Sequence, residues 1–230
     1  MSDNFDQEAY AGSNNPFDGS DFALNPEQRC ACVLLLDTSG SMEGRPIQEL
    51  NEGLRAFKAD LMADSLAAKR VEVMIVTFGP VQVVQDFVTA DQFQPPHLVI
   101  TGDTPMGQAV VEGLEQIERR KAIYKQHGVP YNRPWIFLIT DGAPTDSVLF
   151  ASQQVREGDE SKKFAFFAVG VDGADMSVLG KISPRQPIKL QGLKFRELFL
   201  WLSSSLGSAS RSSPATDTIA LPPPTDWAQV

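Results

Sequence analysis

The sequence predicts an α/β fold with a doubly wound, mostly parallel sheet. Short apolar runs alternate along the chain with segments whose apolar residues recur every three or four positions, the periods of buried strands and of helices. The runs at 135–140 and 164–171 are apolar throughout, as are strands covered on both faces. We therefore expect a six-stranded sheet with one antiparallel edge strand and helices on both faces.

The first half of the chain supplies three predicted strands and one helix. The first strand covers residues 30–37, and Pro46 then occupies the position expected at the start of a helix. A strand at 71–78 follows, and the turn Gly79-Pro80 joins it to an antiparallel strand at 81–88. Polar residues interrupt this last strand, which is typical of a sheet edge.

The second half begins with a helix that Pro105 introduces, which places Thr104 at the N-cap. The strand at 135–140 ends at Asp141, and Thr145 or Asp146 is expected to cap the next helix. The remaining predicted elements are a strand at 164–171, a short helix at 175–181, a minor strand at 187–190 and an amphipathic helix at 194–206.

The length and charge of the chain limit its organisation and partners. Its 230 residues suffice for one domain, which we place at 29–206. An acidic arm (1–28) precedes this domain, and a Ser/Pro-rich tail (207–230) follows it. We expect Trp227 of the tail to dock back on the domain. The net charge of −9 argues against nucleic acid and anionic membranes as partners, because both attract basic surfaces. No secretory signal or membrane-spanning run is visible, so the expected location is the cytoplasm.

The two cysteines, Cys30 and Cys32, both enter the first predicted strand. We expect them on opposite faces of the sheet, an arrangement that disfavours a mutual disulfide. Because the chain has only two histidines, His97 and His127, a zinc site of four Cys and His ligands is not expected either.

Oxygen-bearing side chains occur where predicted strands end. Asp37, Ser39 and Ser41 follow the first strand, and Asp141 follows a later apolar strand. In open α/β sheets, ligands bind beyond the carboxyl ends of the strands, and Thr104 begins a helix that enters the same edge. Hard oxygen donors suit Mg²⁺, and the same donors accommodate Mn²⁺ or Ca²⁺. We therefore predict that these five side chains are metal ligands.

The proposed ligand set favours binding over catalysis. Three hydroxyls and at most two carboxylates leave a bound Mg²⁺ incompletely neutralised, so a partner protein's Asp or Glu suits the open position. An aspartyl-phosphate phosphatase needs a second carboxylate two residues after its nucleophile, where this chain has Ser39. The sequence contains neither a nucleotide phosphate loop nor a G-x-S-x-G elbow. We therefore predict a metal-dependent interaction module rather than an enzyme.

Three segments resemble the von Willebrand factor A (VWA) domain: D-T-S-G-S at 37–41, Thr104 within the G-x-T-x-x-G of 102–107, and T-D-G at 140–142. The resemblance covers roughly residues 29–206. It implies a metal-ion-dependent adhesion site in which two carboxylates often act through water. The ligands that the resemblance implies are Asp37, Ser39, Ser41, Thr104 and Asp141.

Within that family, the segments 34–44 and 140–146 are similar to small intracellular bacterial proteins of the tellurium-resistance type. This similarity implies a role in stress response or defence, with a phosphatase- or kinase-like protein as partner. Two alternatives stay open. One is a Mg²⁺-dependent phosphohydrolase, and the other is a VWA subunit of an AAA+ ATPase or chelatase assembly, although the chain has no motor of its own.

Overall fold

Seven strands are present in the computed structural model, which describes residues 20–213 and 226–229. They are β1 (Cys30–Asp37), β2 (Val71–Phe78), β3 (Gln82–Thr89), β4 (Trp135–Thr140), β5 (Ala165–Gly170), β6 (Ile188–Leu190) and β7 (Ala228–Gln229). They form one sheet in the order β3-β2-β1-β4-β5-β6-β7. Only β3 and β7, at the two edges, run antiparallel to their neighbours.

Helices cover both faces of this sheet. They are α1 (Ser20–Leu24), α2 (Arg45–Ala63), α3 (Ser65–Arg70), α4 (Met106–Gln126), α5 (Leu149–Glu160), α6 (Met176–Ile182) and α7 (Phe195–Arg211), with a 3-10 turn at Gly40–Met42. One apolar core lies between the sheet and α2, α3 and α7, and a second lies beneath α4, α5 and α6. The predicted doubly wound α/β fold is confirmed, but the expected six strands with one antiparallel edge strand are corrected to seven strands with two, because the two-residue β7 pairs with β6 at the second edge. None of the described helices is long and apolar enough to cross a membrane.

Strand β1 lies at the centre of the sheet, and all eight of its residues are buried. The prediction that Cys30 and Cys32 face opposite sides is wrong, because residues two apart in a strand share a face. Both are free thiols in the core beneath α2 and α7. Burial, with a smaller contribution from the charge of Glu72, raises the pKa of Cys30 to about 12. Burial also raises the pKa of Cys32 well above its usual range, so both thiols stay protonated.

The bounds of β1, β2 and β4 agree with the prediction residue for residue. Helix α7 extends five residues beyond its predicted end at Leu206, since small residues there allow close packing against α2 and α3. Trp227 docks on the domain as expected: the backbone N–H of Gln191 donates to its carbonyl oxygen at 2.9 Å, and its ring lies 5.3 Å from that of Trp201. Residues 1–19 of the predicted arm, and residues 214–225 and 230 of the predicted tail, lie outside the described residues.

A buried ionic cluster joins elements at the edge where the parallel strands begin. Glu72 of β2 accepts hydrogen bonds from Arg29 Nε at 2.9 Å and from both Nε and Nη2 of Arg120 at 2.7 Å. The hydroxyl of Tyr124 donates to the same carboxylate. The ring of Phe22 in α1 lies 5.2 Å from each guanidinium. The cluster therefore ties the described end of the N-terminal region to β2 and α4.

Replacing Glu72 should strongly destabilise the fold. A Glu72→Gln substitution leaves two buried guanidiniums without a counter-charge, and breaking a buried ion pair costs roughly 3–5 kcal/mol. The exposed pair Glu115–Arg119 offers a matched control, because Glu115→Gln should cost less than about 0.5 kcal/mol. Urea unfolding followed by circular dichroism measures both. Equal losses in the two variants would contradict a structural role for the cluster.

Candidate metal centre

Asp37 ends the central strand, and its carboxylate is fully buried. The backbone N–H of Ser39 donates to Oδ1 at 2.8 Å, and the hydroxyl of Thr140 donates to Oδ2. The parallel register of β1 and β4, which pairs Leu36 with Ile139, brings Thr140 beside Asp37. The sheet itself thus fixes the position of the first predicted ligand.

The two predicted serine ligands lie in the turn that follows β1. Ser39 Oγ is 3.0 Å from Ser41 Oγ, and Ser41 Oγ donates to Asp141 Oδ1 at 2.6 Å. Ser39 is buried, whereas Ser41 is exposed at the rim. A continuous chain of hydrogen bonds therefore connects the loop after β1 with the loop after β4.

Thr104 reaches the same place through a third segment. The backbone N–H of Thr101 donates to the carbonyl of Thr38 at 2.8 Å, and that of Gly40 donates to the carbonyl of Gly102 at 2.9 Å. These bonds hold the segment before α4 against the turn after β1. Thr104 itself is buried.

Gly142 shows that oxygens of three of these side chains lie close to one point. A Cβ atom added at Gly142 would lie 3.4 Å from Ser41 Oγ, 3.6 Å from Thr104 Oγ1 and 3.8 Å from Asp37 Oδ2. The missing side chain leaves space that all three oxygens face. The structure thus brings all five predicted side chains to one sheet edge.

The sequence did not reveal how α4 is capped. Thr104 is not its N-cap: Pro105 holds that position and makes no side-chain cap bond. Instead the carboxylate of Asp146 accepts hydrogen bonds from the backbone N–H groups of Gly107 at 2.9 Å and Gln108 at 2.8 Å. The prediction that Thr145 or Asp146 caps the following helix is also wrong, since α5 begins only at Leu149. The Asp146 bonds connect the loop after β4 with the first turn of α4, 39 residues away in the chain, so local sequence carries no signal for them.

The site concentrates negative charge. Burial raises the pKa of Asp141, the hydrogen bond from Ser41 opposes that shift, and the neighbouring charge of Asp37 adds to it. Within residues 20–213 and 226–229, the structure shows no ion pair to either carboxylate. A cation would relieve the repulsion between these two groups.

The side chains present fit a hard divalent cation. Oxygens of Asp37, Ser41 and Thr104 lie within 4 Å of the position of a Cβ at Gly142, and Ser39 and Asp141 lie within hydrogen-bond distance of Ser41. Carboxylate and hydroxyl oxygens of this kind are ligands for Mg²⁺ or Ca²⁺. In the part of the chain that the structure describes, no group of three or more His, Cys, Asp and Glu residues is placed to hold a metal. A cation bound at this edge would therefore depend on hydroxyl ligands.

Comparisons with known proteins agree with the fold. The von Willebrand factor type A domain matches residues 32–189. The pilus adhesin SpaC from Lactobacillus rhamnosus GG, in its open conformation, superposes with a TM-score of 0.59 at 14% identity, over 78% of this chain and 30% of that one. Proximal thread matrix protein 1 from the mussel byssus gives 0.55 at 14% identity, over 78% and 48% of the two chains. No curated protein sequence matches the chain significantly.

The chain spans less than half the length of either of these two proteins, and at such low identity the likeness shows a shared fold alone. The match to the type A domain, by contrast, covers well over half of the chain and runs from β1 to β6. The chain therefore belongs to the von Willebrand factor type A domain family, whose members are general adhesion and protein-interaction modules.

Proposed function

We propose that this protein is a metal-dependent interaction module, in which Mg²⁺ at the sheet edge captures an Asp or Glu of a protein partner. Mn²⁺ and Ca²⁺ suit the same donors. The observation that carries the proposal is the convergence of three separate segments: oxygens of Asp37, Ser41 and Thr104 lie within 4 Å of a Cβ position at Gly142, and Ser39 and Asp141 contact Ser41. The proposed ligands are Asp37, Ser39, Ser41, Thr104 and Asp141.

The donor set leaves room for a partner's oxygen. Mg²⁺ takes six oxygens in an octahedron and keeps water where the protein supplies fewer, so a partner's carboxylate could replace a water ligand. When bound, the cation supplies a positive charge that attracts an external carboxylate. The chain's own residues hold it: Thr140 and the Ser39 amide orient Asp37, and Ser41 orients Asp141.

The setting of this function is proposed from sequence resemblance. The segments 34–44 and 140–146 are similar to bacterial VWA proteins of the tellurium-resistance type. On that basis we place the protein in the cytoplasm, in a stress-response or defence system, with a phosphatase- or kinase-like protein as partner. The adhesin SpaC, by its name, shows that a protein containing this fold can serve adhesion, which supports an interaction role here.

A Gly142→Ala substitution should weaken metal binding without disturbing the fold. The added methyl group makes only ordinary contacts of 3.4 Å or more with protein atoms, yet it occupies the space that the donor oxygens face. Binding stabilises the folded state by about 2.7 kcal/mol when free Mg²⁺ is about 100 times the Kd. We expect Mg²⁺ to raise the Tm of the wild type, but to raise that of Gly142→Ala far less.

The matched control for this experiment is Gly180→Ala in α6, because a Cβ at Gly180 meets nothing within 4 Å, and thus none of the proposed ligands. Its Mg²⁺ response should equal that of the wild type. Calorimetric titration with MgCl₂ gives the Kd of each protein directly. If Gly142→Ala binds Mg²⁺ as tightly as the wild type, the metal does not lie beside Gly142, where the oxygens of Asp37, Ser41 and Thr104 come close together.

Partner capture should require both the metal and its ligands. EDTA, or an Asp37→Ala substitution, should abolish recovery of a specific protein from lysate on the immobilised chain, as read by mass spectrometry. Circular dichroism checks that the variant stays folded. Capture that persists under both conditions would contradict the metal-bridged mechanism.

Turnover of p-nitrophenyl phosphate by the purified protein, lost in Asp37→Ala, would instead support the phosphohydrolase alternative.

A further inference from the structure

Two large apolar side chains are exposed at the start of α5. Leu149 is 80% exposed and Phe150 is 64% exposed, although they are adjacent in the chain. Exposed apolar residues that occur together, unlike scattered single ones, mark sites of protein interaction. Aromatic side chains are moreover enriched where interfaces gain most of their affinity.

The loop that leads to this pair is fixed against the candidate metal centre. The backbone N–H of Thr145 donates to the carbonyl of Thr104 at 2.9 Å, and Asp146 caps α4. A Cβ at Gly107 would come within 2.4 Å of the Ser147 carbonyl oxygen, which shows how closely the loop packs on α4. Leu149 follows Ser147 by two residues and so lies within about 7 Å of it along the chain. The apolar pair therefore belongs to the same edge of the sheet as the site.

The distribution of exposed apolar side chains favours this edge. Among the described residues, five large apolar side chains are exposed, and three of them, Val99, Leu149 and Phe150, lie in segments next to the site. The other two, Leu24 and Met62, lie towards the opposite edge, near the start of β1 and the end of α2.

The charges near the site restrict the partner further. Glu43 and Asp103 are exposed in two of the loops that form the site. The nearby Arg45 is paired with Glu49, with 3.6 Å between Arg45 Nη2 and Glu49 Oε1. A run of acidic residues on the partner would be repelled by these carboxylates. One carboxylate beside an apolar side chain suits both the metal and the exposed pair.

We propose that Leu149 and Phe150 form the second half of a docking surface, whose first half is the metal site. Its occupant is a protein segment with one Asp or Glu and an apolar side chain within about two positions of it. The proposal rests on the function proposed above, because the metal supplies the contact to the carboxylate. It adds the chemical identity of the segment that is recognised.

A peptide selection tests the pair directly. The full chain is immobilised in MgCl₂ and challenged with phage-displayed random heptapeptides, which are eluted with EDTA. The wild type should enrich peptides in which Leu, Ile, Phe or Trp lies within two positions of a single acid. The double variant Leu149→Ser/Phe150→Ser should lose the apolar preference. The matched control Leu24→Ser/Met62→Ser, which alters exposed apolar residues at the opposite edge, should keep it.

Affinities of one selected peptide then measure the coupling. Fluorescence anisotropy of the fluorescein-labelled peptide should give a Kd about tenfold higher for Leu149→Ser/Phe150→Ser than for the wild type, and an unchanged Kd for the control. Replacing the apolar residue of the peptide by Ala should weaken binding to the wild type by a similar factor. It should have almost no effect on the double variant, because the two changes remove the same contact.

The outcomes separate the two proposals. The docking role of Leu149 and Phe150 is overturned if acidic peptides are enriched in a metal-dependent way without any preference for an apolar neighbour. It is also overturned if the double variant shows the same apolar preference as the wild type. Both outcomes are compatible with the proposed metal site. If no peptide binds in MgCl₂ and is released by EDTA, the proposed function is overturned, and this inference with it. Sedimentation that shows a wild-type dimer, dissociated in the double variant, would assign the pair to self-association and also overturn the inference.

Discussion

The buried carboxylate at the tip of the central strand constrains every loop around it. Asp37 has no exposed surface, and a buried charge without hydrogen bonds would be strongly unfavourable. Its donors come from Thr140 on the neighbouring strand and from the backbone of Ser39 in the turn that follows. The turn after β1 must therefore bend back towards the sheet, which directs the hydroxyls of Ser39 and Ser41 to the same place. The position of the site therefore follows from the hydrogen bonds that the buried carboxylate of Asp37 requires.

The two ends of the sheet satisfy buried acids in different ways. At the end where the parallel strands begin, Glu72 is balanced by Arg29 and Arg120. At the carboxyl ends, Asp37 and Asp141 accept only hydroxyl and amide hydrogen bonds from the described residues. These bonds stabilise the two carboxylates but bring no positive charge to them. The first arrangement is complete within the protein and contributes to stability. Among the described residues, no cationic side chain pairs with the acids of the second arrangement, and that difference is why we assign binding to this end.

The strands and the convergence of the site were predictable because both follow from patterns in the chain. Apolar runs specify β1 and β4, and parallel strands necessarily bring their carboxyl ends to one edge. The cap of α4 was not predictable: Thr104 is the local candidate, whereas Asp146, which accepts the hydrogen bonds, lies 39 residues from Gly107 in the chain. The cap therefore depends on how closely the loop after β4 approaches α4. The two-residue strand β7 and the Ser-rich end of α7 gave no periodic signal. In the structure, β7 pairs with β6 and α7 packs against α2 and α3, contacts that a local pattern does not carry.

The two halves of the proposed docking surface contribute differently to recognition. A contact between a metal and a carboxylate suits any accessible Asp or Glu, so by itself it distinguishes few partners. Contact with Leu149 and Phe150 depends on the shape of the opposing side chain, and burying one large apolar side chain contributes roughly 1.5–3 kcal/mol. That range corresponds to about tenfold to hundredfold in affinity. Because both side chains project from the first turn of α5, outside the core, they can be changed without altering the metal ligands or the fold. Leu149 and Phe150 would then determine which partner binds, although neither is one of the five proposed metal ligands.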